Sequence, residues 1–205
     1  MILIGVTGGI GSGKSVVCSQ FEKFGIQVFY ADQVAKKIPR LYPEILDEVS
    51  DEFGEQTVLR STKTLNTEKI AEIVFFDKQK LHQLNTIIHP FVFRELNRWT
   101  STITKDTRYA IVEAALIFES GMDELVDYVL GITADEKIRI QRVLERDNLS
   151  VEQITARIKN QITVEELEQF SDFLLKNNGT ISDLFTTVSF YHTLFLTLQK
   201  RNETL

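Results

Sequence analysis

Short apolar runs separated by longer stretches of helical periodicity organise this chain. Ile2 to Val6, Ile26 to Tyr30, Tyr109 to Val112 continuing towards Leu116, and Tyr128 to Ile132 are the clearest runs, with Phe173-Leu174-Leu175 a weaker fifth. A strand covered on both faces has no polar side to alternate with, so unbroken runs of this length point to parallel strands buried beneath helices. Right-handed crossovers through the intervening helices then predict a doubly wound α/β fold on a five-stranded parallel sheet.

The helical segments are unevenly spaced. Residues 32–104 contain no convincing strand and are expected to form an all-helical insert, with helices over Tyr42 to Phe53, Asn66 to Phe76 and Lys78 to Trp99. Pro90, which lacks an N–H, is expected to start or kink a helix. A second strand-free segment, Asp135 to Phe170, reads as two or three short helices, and Ser150-Val151-Glu152-Gln153 inside it has the form of a capping box. The last helix, Ile181 to Gln199, places Ile181, Leu184, Phe185, Val188, Tyr191, Phe195 and Leu198 on one face, expected to be core.

The chemistry begins between the first run and the first helix. Residues Gly8 to Ser15 read Gly-Gly-Ile-Gly-Ser-Gly-Lys-Ser and fit G-x-x-x-x-G-K-[ST] in the strand, loop, helix order that this motif requires. Glycines let the chain curl so that successive N–H groups of Gly11, Ser12, Gly13, Lys14, Ser15 and Val16 point at phosphate oxygens. Lys14 adds a mobile positive charge, and Ser15 a hydroxyl for Mg²⁺. Asp32 lies just past the second run, at the carboxyl edge of the sheet where open α/β folds bind ligands. There it is placed to orient an acceptor hydroxyl or take its proton, and it is equally placed to cap the next helix.

Composition narrows the field. With 205 residues and 43% hydrophobic content the chain has enough material for one substantial core. Its one cysteine, Cys18, excludes an internal disulfide and is expected to be a small buried hydrophobe in a reducing cytoplasm. A formal net charge of −6 disfavours nucleic acid and anionic membranes as partners, and no basic leader or membrane-length apolar run follows Met1. Nothing in the pattern sets an oligomeric state.

The order of motifs resembles the dephospho-coenzyme A kinase family over nearly the whole chain. The family's T-G-G-I-G-S-G-K-S runs unbroken from Thr7 to Ser15, and its D-A-D followed by A-R corresponds to Tyr30-Ala31-Asp32 and Ala35-Lys36. Its His-Pro is His89-Pro90, its P-L-L-F-E is similar to Ala115-Leu116-Ile117-Phe118-Glu119, and its R-x-x-x-R-D lid helix to Arg142 through Asp147. Asn177-Asn178-Gly179 matches the late N-x-G turn.

The resemblance implies a P-loop kinase with a coenzyme A-binding insert (32–104) and a lid (136–168). It further implies transfer of phosphate from ATP, with Mg²⁺, to the ribose 3′-hydroxyl of dephospho-CoA. Asp32 would be the base, Lys14 and Arg142 the catalytic cations, and Asn178 a contact near the adenine. Lys36, His89, Phe118 and Glu119 would touch the acceptor, although His89 suits a local hydrogen bond and Phe118 the core as well. Arg139 and Arg146 share a helical face with Arg142 and are as well suited to surface ion pairs.

Four positions depart from the family pattern. Tyr30 stands for the first aspartate, Lys36 for an arginine, Val16 for a threonine and Ala115 for a proline. Lysine neutralises a phosphate without offering a bidentate fork. Glu113, near the end of the third strand, either reaches Mg²⁺ through water or forms a structural ion pair. Rival readings are another small-molecule kinase, of nucleoside monophosphate or shikimate type, and a GTPase switch; the latter lacks its N-K-x-D.

Overall fold

The computed structural model describes residues 1–74, 77–147, 150–159 and 161–199. In chain order its first half holds β1 (Ile2–Thr7), α1 (Lys14–Lys23), β2 (Val28–Tyr30), α2 (Ala31–Ala35), α3 (Ile38–Leu41), α4 (Ile45–Phe53), β3 (Val58–Leu59), β4 (Thr64–Leu65), α5 (Thr67–Val74) and α6 (Lys78–Thr102). The second half holds β5 (Tyr109–Glu113), β6 (Tyr128–Thr133), α7 (Glu136–Arg146), α8 (Val151–Lys159), α9 (Val164–Phe170), β7 (Phe173–Lys176) and α10 (Ile181–Thr197). Two compact units result: Met1–Phe29 with Thr104–Leu205, and Tyr30–Ile103.

The first unit is built on the five-stranded sheet, in the order β2-β5-β1-β6-β7. β1 pairs in parallel with β5 on one side and β6 on the other, and β6 pairs in parallel with β7. This is the parallel sheet with flanking helices that the apolar runs predict. The register sets Val6 beside Glu113, Thr7 beside Gly131 and Thr133 beside Lys176, so these carboxyl ends share one edge. Ile4, Val6, Val17, Phe21, Ile111, Leu130 and Ile132 are fully buried around it.

An aromatic cluster fastens α1 and α10 to the sheet. Phe21 stacks on Phe195 at 5.9 Å, and Tyr109 meets Phe195 edge-on at 5.5 Å. The Tyr109 hydroxyl and His192 Nδ1 share a 2.6 Å hydrogen bond. Burial pushes the Tyr109 phenol up and the His192 imidazole down, so both rings are neutral at pH 7.

The second unit centres on α6, against which α2, α3, α4 and α5 pack. Leu84, Ile88, Val92 and Leu96 recur every fourth residue along α6 and are all buried. Asp77 starts the helix, its side chain accepting from the N–H groups of Gln79 and Lys80 at 2.9 and 3.1 Å.

Several expectations are corrected. Of the two alternatives at Pro90, a helix start is ruled out: it lies within α6, a 25-residue helix that runs through it and covers the expected Lys78 to Trp99. An interior proline costs about 3 kcal/mol, whereas burying each large apolar side chain returns about 1.5–3 kcal/mol, so the four-residue stripe carries the helix past it. The insert is not all-helical, because β3 and β4 form an antiparallel hairpin pairing Val58 with Leu65 and Leu59 with Thr64. Its strands are too short for alternation to register, and the turn between them uses Lys63 at φ 53° where a glycine would have signalled it.

The third run stops at Glu113 instead of continuing to Leu116. Ile117 beyond it is fully buried in a turn whose backbone closes from Ser120 N–H to Leu116 O at 3.0 Å. On α10, Leu184, Val188 and Phe195 are core, but Ile181 is 73% exposed and Phe185 44%. The capping box at Ser150 is present, with Ser150 and Gln153 exchanging hydrogen bonds at 2.9 and 3.2 Å. Phe75 and Phe76, at the end of the helix expected from Asn66, lie outside the described residues.

Candidate functional site

β1 delivers the chain to the loop at Thr7, and Gly8, Gly11 and Gly13 then take φ of 148°, 77° and 98°. A side chain at Gly8 would run into the Ile132 carbonyl of β6, so both conformation and space demand glycine there. Ser12 N–H closes the turn onto Gly9 O at 3.1 Å. Among the described residues, the N–H groups of Gly11, Gly13, Ser15 and Val16 find no acceptor within the protein. The first turn of α1 carries no acidic residue, which leaves the positive end of the helix uncompensated. Lys14 Nζ reaches back across the loop and donates to Gly8 O at 2.6 Å.

Three arginines of α7 divide the work around this loop. Arg142 Nη1 is buried and has no hydrogen-bond partner among the described residues, and it lies 3.9 Å from where a Cβ on Gly13 would stand. An unmatched buried donor costs about 1–3 kcal/mol, more when charged, so this guanidinium fits an anion seated on the loop. Arg146 pairs with Asp147 at 2.8 Å, the surface ion pair expected of it. Arg139 makes no ion pair among the described residues; it is buried and its Nε donates to Ile10 O at 2.9 Å.

A cavity of about 280 Å³ opens beside the loop, lined by Gly11, Gly13, Val16, Arg142 and Arg146 on one side and Asn177, Gly179, Thr180, Ile181 and Leu184 on the other. Asn177 Nδ2 donates to Ser12 O at 2.8 Å in a buried bond that ties the turn after β7 to the loop. Cationic walls, main-chain donors and an apolar floor suit a phosphorylated ring compound.

A family model described as dephospho-CoA kinase matches residues 2–183. The chain belongs to the dephospho-CoA kinase family. It is 40% identical to the dephospho-CoA kinase of Salinibacter ruber over 185 residues, 90% of this chain and 92% of that protein. A Thermus thermophilus structure described as TT1252 superposes with a TM-score of 0.80 at 30% identity, covering 97% of this chain and 98% of its own. The dephospho-CoA kinase structure from Campylobacter jejuni gives 0.68 at 27% identity, covering 93% and 95%.

The other residues that the family resemblance singles out are placed as follows. Asp32 and Lys36, at the start and the end of α2, are exposed members of the second unit. His89 of α6 is half-buried there, and its ring centre lies 6.0 Å from that of Phe93. Burial holds the His89 imidazole below its ordinary value while the Asp32 carboxylate pulls the other way, so these two groups feel each other. In the first unit, Phe118 is half-buried with its ring 5.7 Å from Phe170, and Glu119 beside it is exposed.

Asn178 Oδ1 accepts from Asp135 N–H at 2.9 Å and pins the start of α7; Asn177 and Gly179, on either side of it, line the cavity. Cys18 is buried, and burial first, then Glu113, push its thiol well up, which makes it inert. Lys14 acts on the same thiol in the opposite sense. Sequence reasoning missed Asn177, Ile181, the Arg139 contact and Gln161. The N-x-G turn pointed to the first of these; the others depend on contacts across more than a hundred residues.

Proposed function

We propose that this chain transfers the terminal phosphoryl group of ATP to the ribose 3′-hydroxyl of dephospho-CoA, giving coenzyme A and ADP, the last step of coenzyme A synthesis. Membership of the family supports the reaction. The observation that carries the nucleotide half is the convergence of unmatched main-chain N–H groups and the unpartnered Arg142 guanidinium on one loop. Phosphoryl transfer spreads negative charge over the moving group, so fixed donors and cations supply most of the rate enhancement.

In this reading Gly11, Ser12, Gly13, Lys14, Ser15 and Val16 cradle the phosphates, and Lys14 exchanges its bond to Gly8 O for a phosphate oxygen. Arg142 faces the transferred group. Asp32 orients the acceptor hydroxyl and takes its proton. Lys36, His89, Phe118 and Glu119 contact the acceptor, and Asn178 holds the turn beside the adenine. Ser15, an exposed residue, and Glu113, buried at the end of β5, are the oxygen donors that fit Mg²⁺. No cluster of three or more metal-ligating side chains occurs among the described residues, in keeping with an ion that retains waters and phosphate ligands. When bound, Mg²⁺ neutralises phosphate charge.

No helix among the described residues is long and apolar enough to cross a membrane, and a cytoplasmic site of action suits the reaction. A coupled ADP-release assay with dephospho-CoA, AMP, CMP and shikimate tests the proposal. Turnover is expected with dephospho-CoA alone, and a preference for any of the others would replace the assignment.

A further inference from the structure

Ile10, at the crest of the phosphate loop, is gripped by both of its main-chain polar groups. Its N–H donates to Gln161 Oε1 at 2.7 Å, and its C=O accepts from Arg139 Nε at 2.9 Å. The two partners come from separate places, Arg139 from α7 and Gln161 from the link between α8 and α9. Contact is close enough to dictate sequence on the loop side. A Cβ on Gly9 would strike Arg139 Nη2, and one on Gly11 would strike the Arg139 carbonyl. Two of the loop glycines are therefore needed for Arg139 to lie on the loop, apart from anything they do for phosphate.

The grip also allocates the loop's donors. Ile10 N–H is taken by the protein, so the anion is left with N–H groups further along, those of Gly11, Gly13, Ser15 and Val16 among the described residues. Arg139 is 6% exposed and without an ion pair among the described residues, an arrangement that surface decoration does not explain. Arg142 follows it by three residues on the same helical face.

We propose that Arg139 and Gln161 are positioning residues for the nucleotide. By fixing the Ile10 peptide from both sides they hold the curvature that aims the later N–H groups at the triphosphate, and they keep α7, with Arg142, over the same ligand. This rests on the nucleotide half of the proposed function and not on the choice of acceptor.

The test uses the full chain and the substitutions Arg139→Gln and Gln161→Ala. Loss of a charged hydrogen bond predicts that Arg139→Gln raises the calorimetric Kd for ATP and the KM for ATP about tenfold, and loss of a neutral one that Gln161→Ala raises both about threefold or more, with the KM for dephospho-CoA within about twofold in each. Because both act on one peptide, the double substitution is expected to weaken ATP binding by less than the product of the two. Amide exchange at Ile10 is expected to be slow in the unsubstituted protein with or without ATP, and about tenfold faster or more in Gln161→Ala.

Unchanged ATP affinity in both variants, an equal rise of both KM values, or an Ile10 amide as protected in Gln161→Ala as before would overturn the proposal. Should Arg139→Gln not fold, Gln161→Ala, at a half-exposed position outside any helix, decides alone. If the unsubstituted protein binds ATP but leaves dephospho-CoA untouched, the acceptor assignment fails while the calorimetric comparison still judges the grip on Ile10.

Discussion

In the sheet-based unit, the main-chain N–H groups of Gly11, Gly13, Ser15 and Val16 find no acceptor among the described residues, whereas in Tyr30–Ile103 several charged side chains are matched to one another. There Arg60 spans Asp47 and Glu55 at 2.7 and 2.6 Å, and Lys69 meets Glu72 at 2.8 Å. Glu95 takes both the Tyr42 hydroxyl at 2.6 Å and Arg98 at 2.9 Å, and Arg94 lies 5.2 Å from the Tyr42 and Phe91 ring centres. In the proposed function the loop binds its anion mostly through backbone, which most substitutions leave in place. The proposed acceptor contacts of the second unit, Asp32, Lys36 and His89, are by contrast separate side chains, each removable alone.

That contrast predicts selective losses. Asp32→Asn is expected to lower turnover about a hundredfold or more, the scale of a lost general base, while ATP affinity stays within about twofold. Stopped-flow turnover beside calorimetry checks this, and a parallel fall in ATP affinity would erase the division of labour. Arg142→Ala should lower kcat/KM for ATP by about ten- to a hundredfold, as expected of a lost charged hydrogen bond. Arg146→Ala, whose partner is Asp147, should change it by less than about threefold. Equal effects would mean that burial at Arg142 carries no information about binding.

Thr180→Ala removes the capping box that starts α10, where Thr180 Oγ1 accepts from Asp183 N–H at 3.3 Å. About 1 kcal/mol of stability should go, read as a lower urea midpoint.

The smallest effect is electrostatic and lies inside the second unit. The Asp32 carboxylate raises the His89 pKa against the burial that depresses it, so Asp32→Asn should move the His89 titration further down, as followed by NMR. The linked stability has a definite sign. A histidine depressed in the folded state takes up its proton first in the unfolded chain, so its contribution is present above the unfolded value of about 6.5 and is lost as pH falls through it. Asp32→Asn should deepen that acid loss, and a His89 titration that does not move would separate the two groups.

Legibility differed along the chain for physical reasons. The five strands could be read because a buried parallel strand must be apolar throughout, and the loop because only glycine reaches positive φ beside a neighbouring carbonyl. The family resemblance singled out Arg142 among three arginines on one helical face, but periodicity by itself did not separate them. Burial, the Asp147 pair and the Ile10 contact separated their roles, and each of these belongs to the surroundings. Ile181 read as core by periodicity, yet it is the first residue of α10 and lines the cavity.

Local rules written into the order of residues therefore settled the sheet, the phosphate loop and the family. They did so because backbone conformation and burial are constraints that each residue meets within its own few neighbours. Folding alone decided that Asn177 reaches the loop and that Arg139 and Gln161 converge on Ile10. Those outcomes depend on the summed burial of distant side chains and on donors meeting acceptors more than a hundred residues away, which no local pattern encodes.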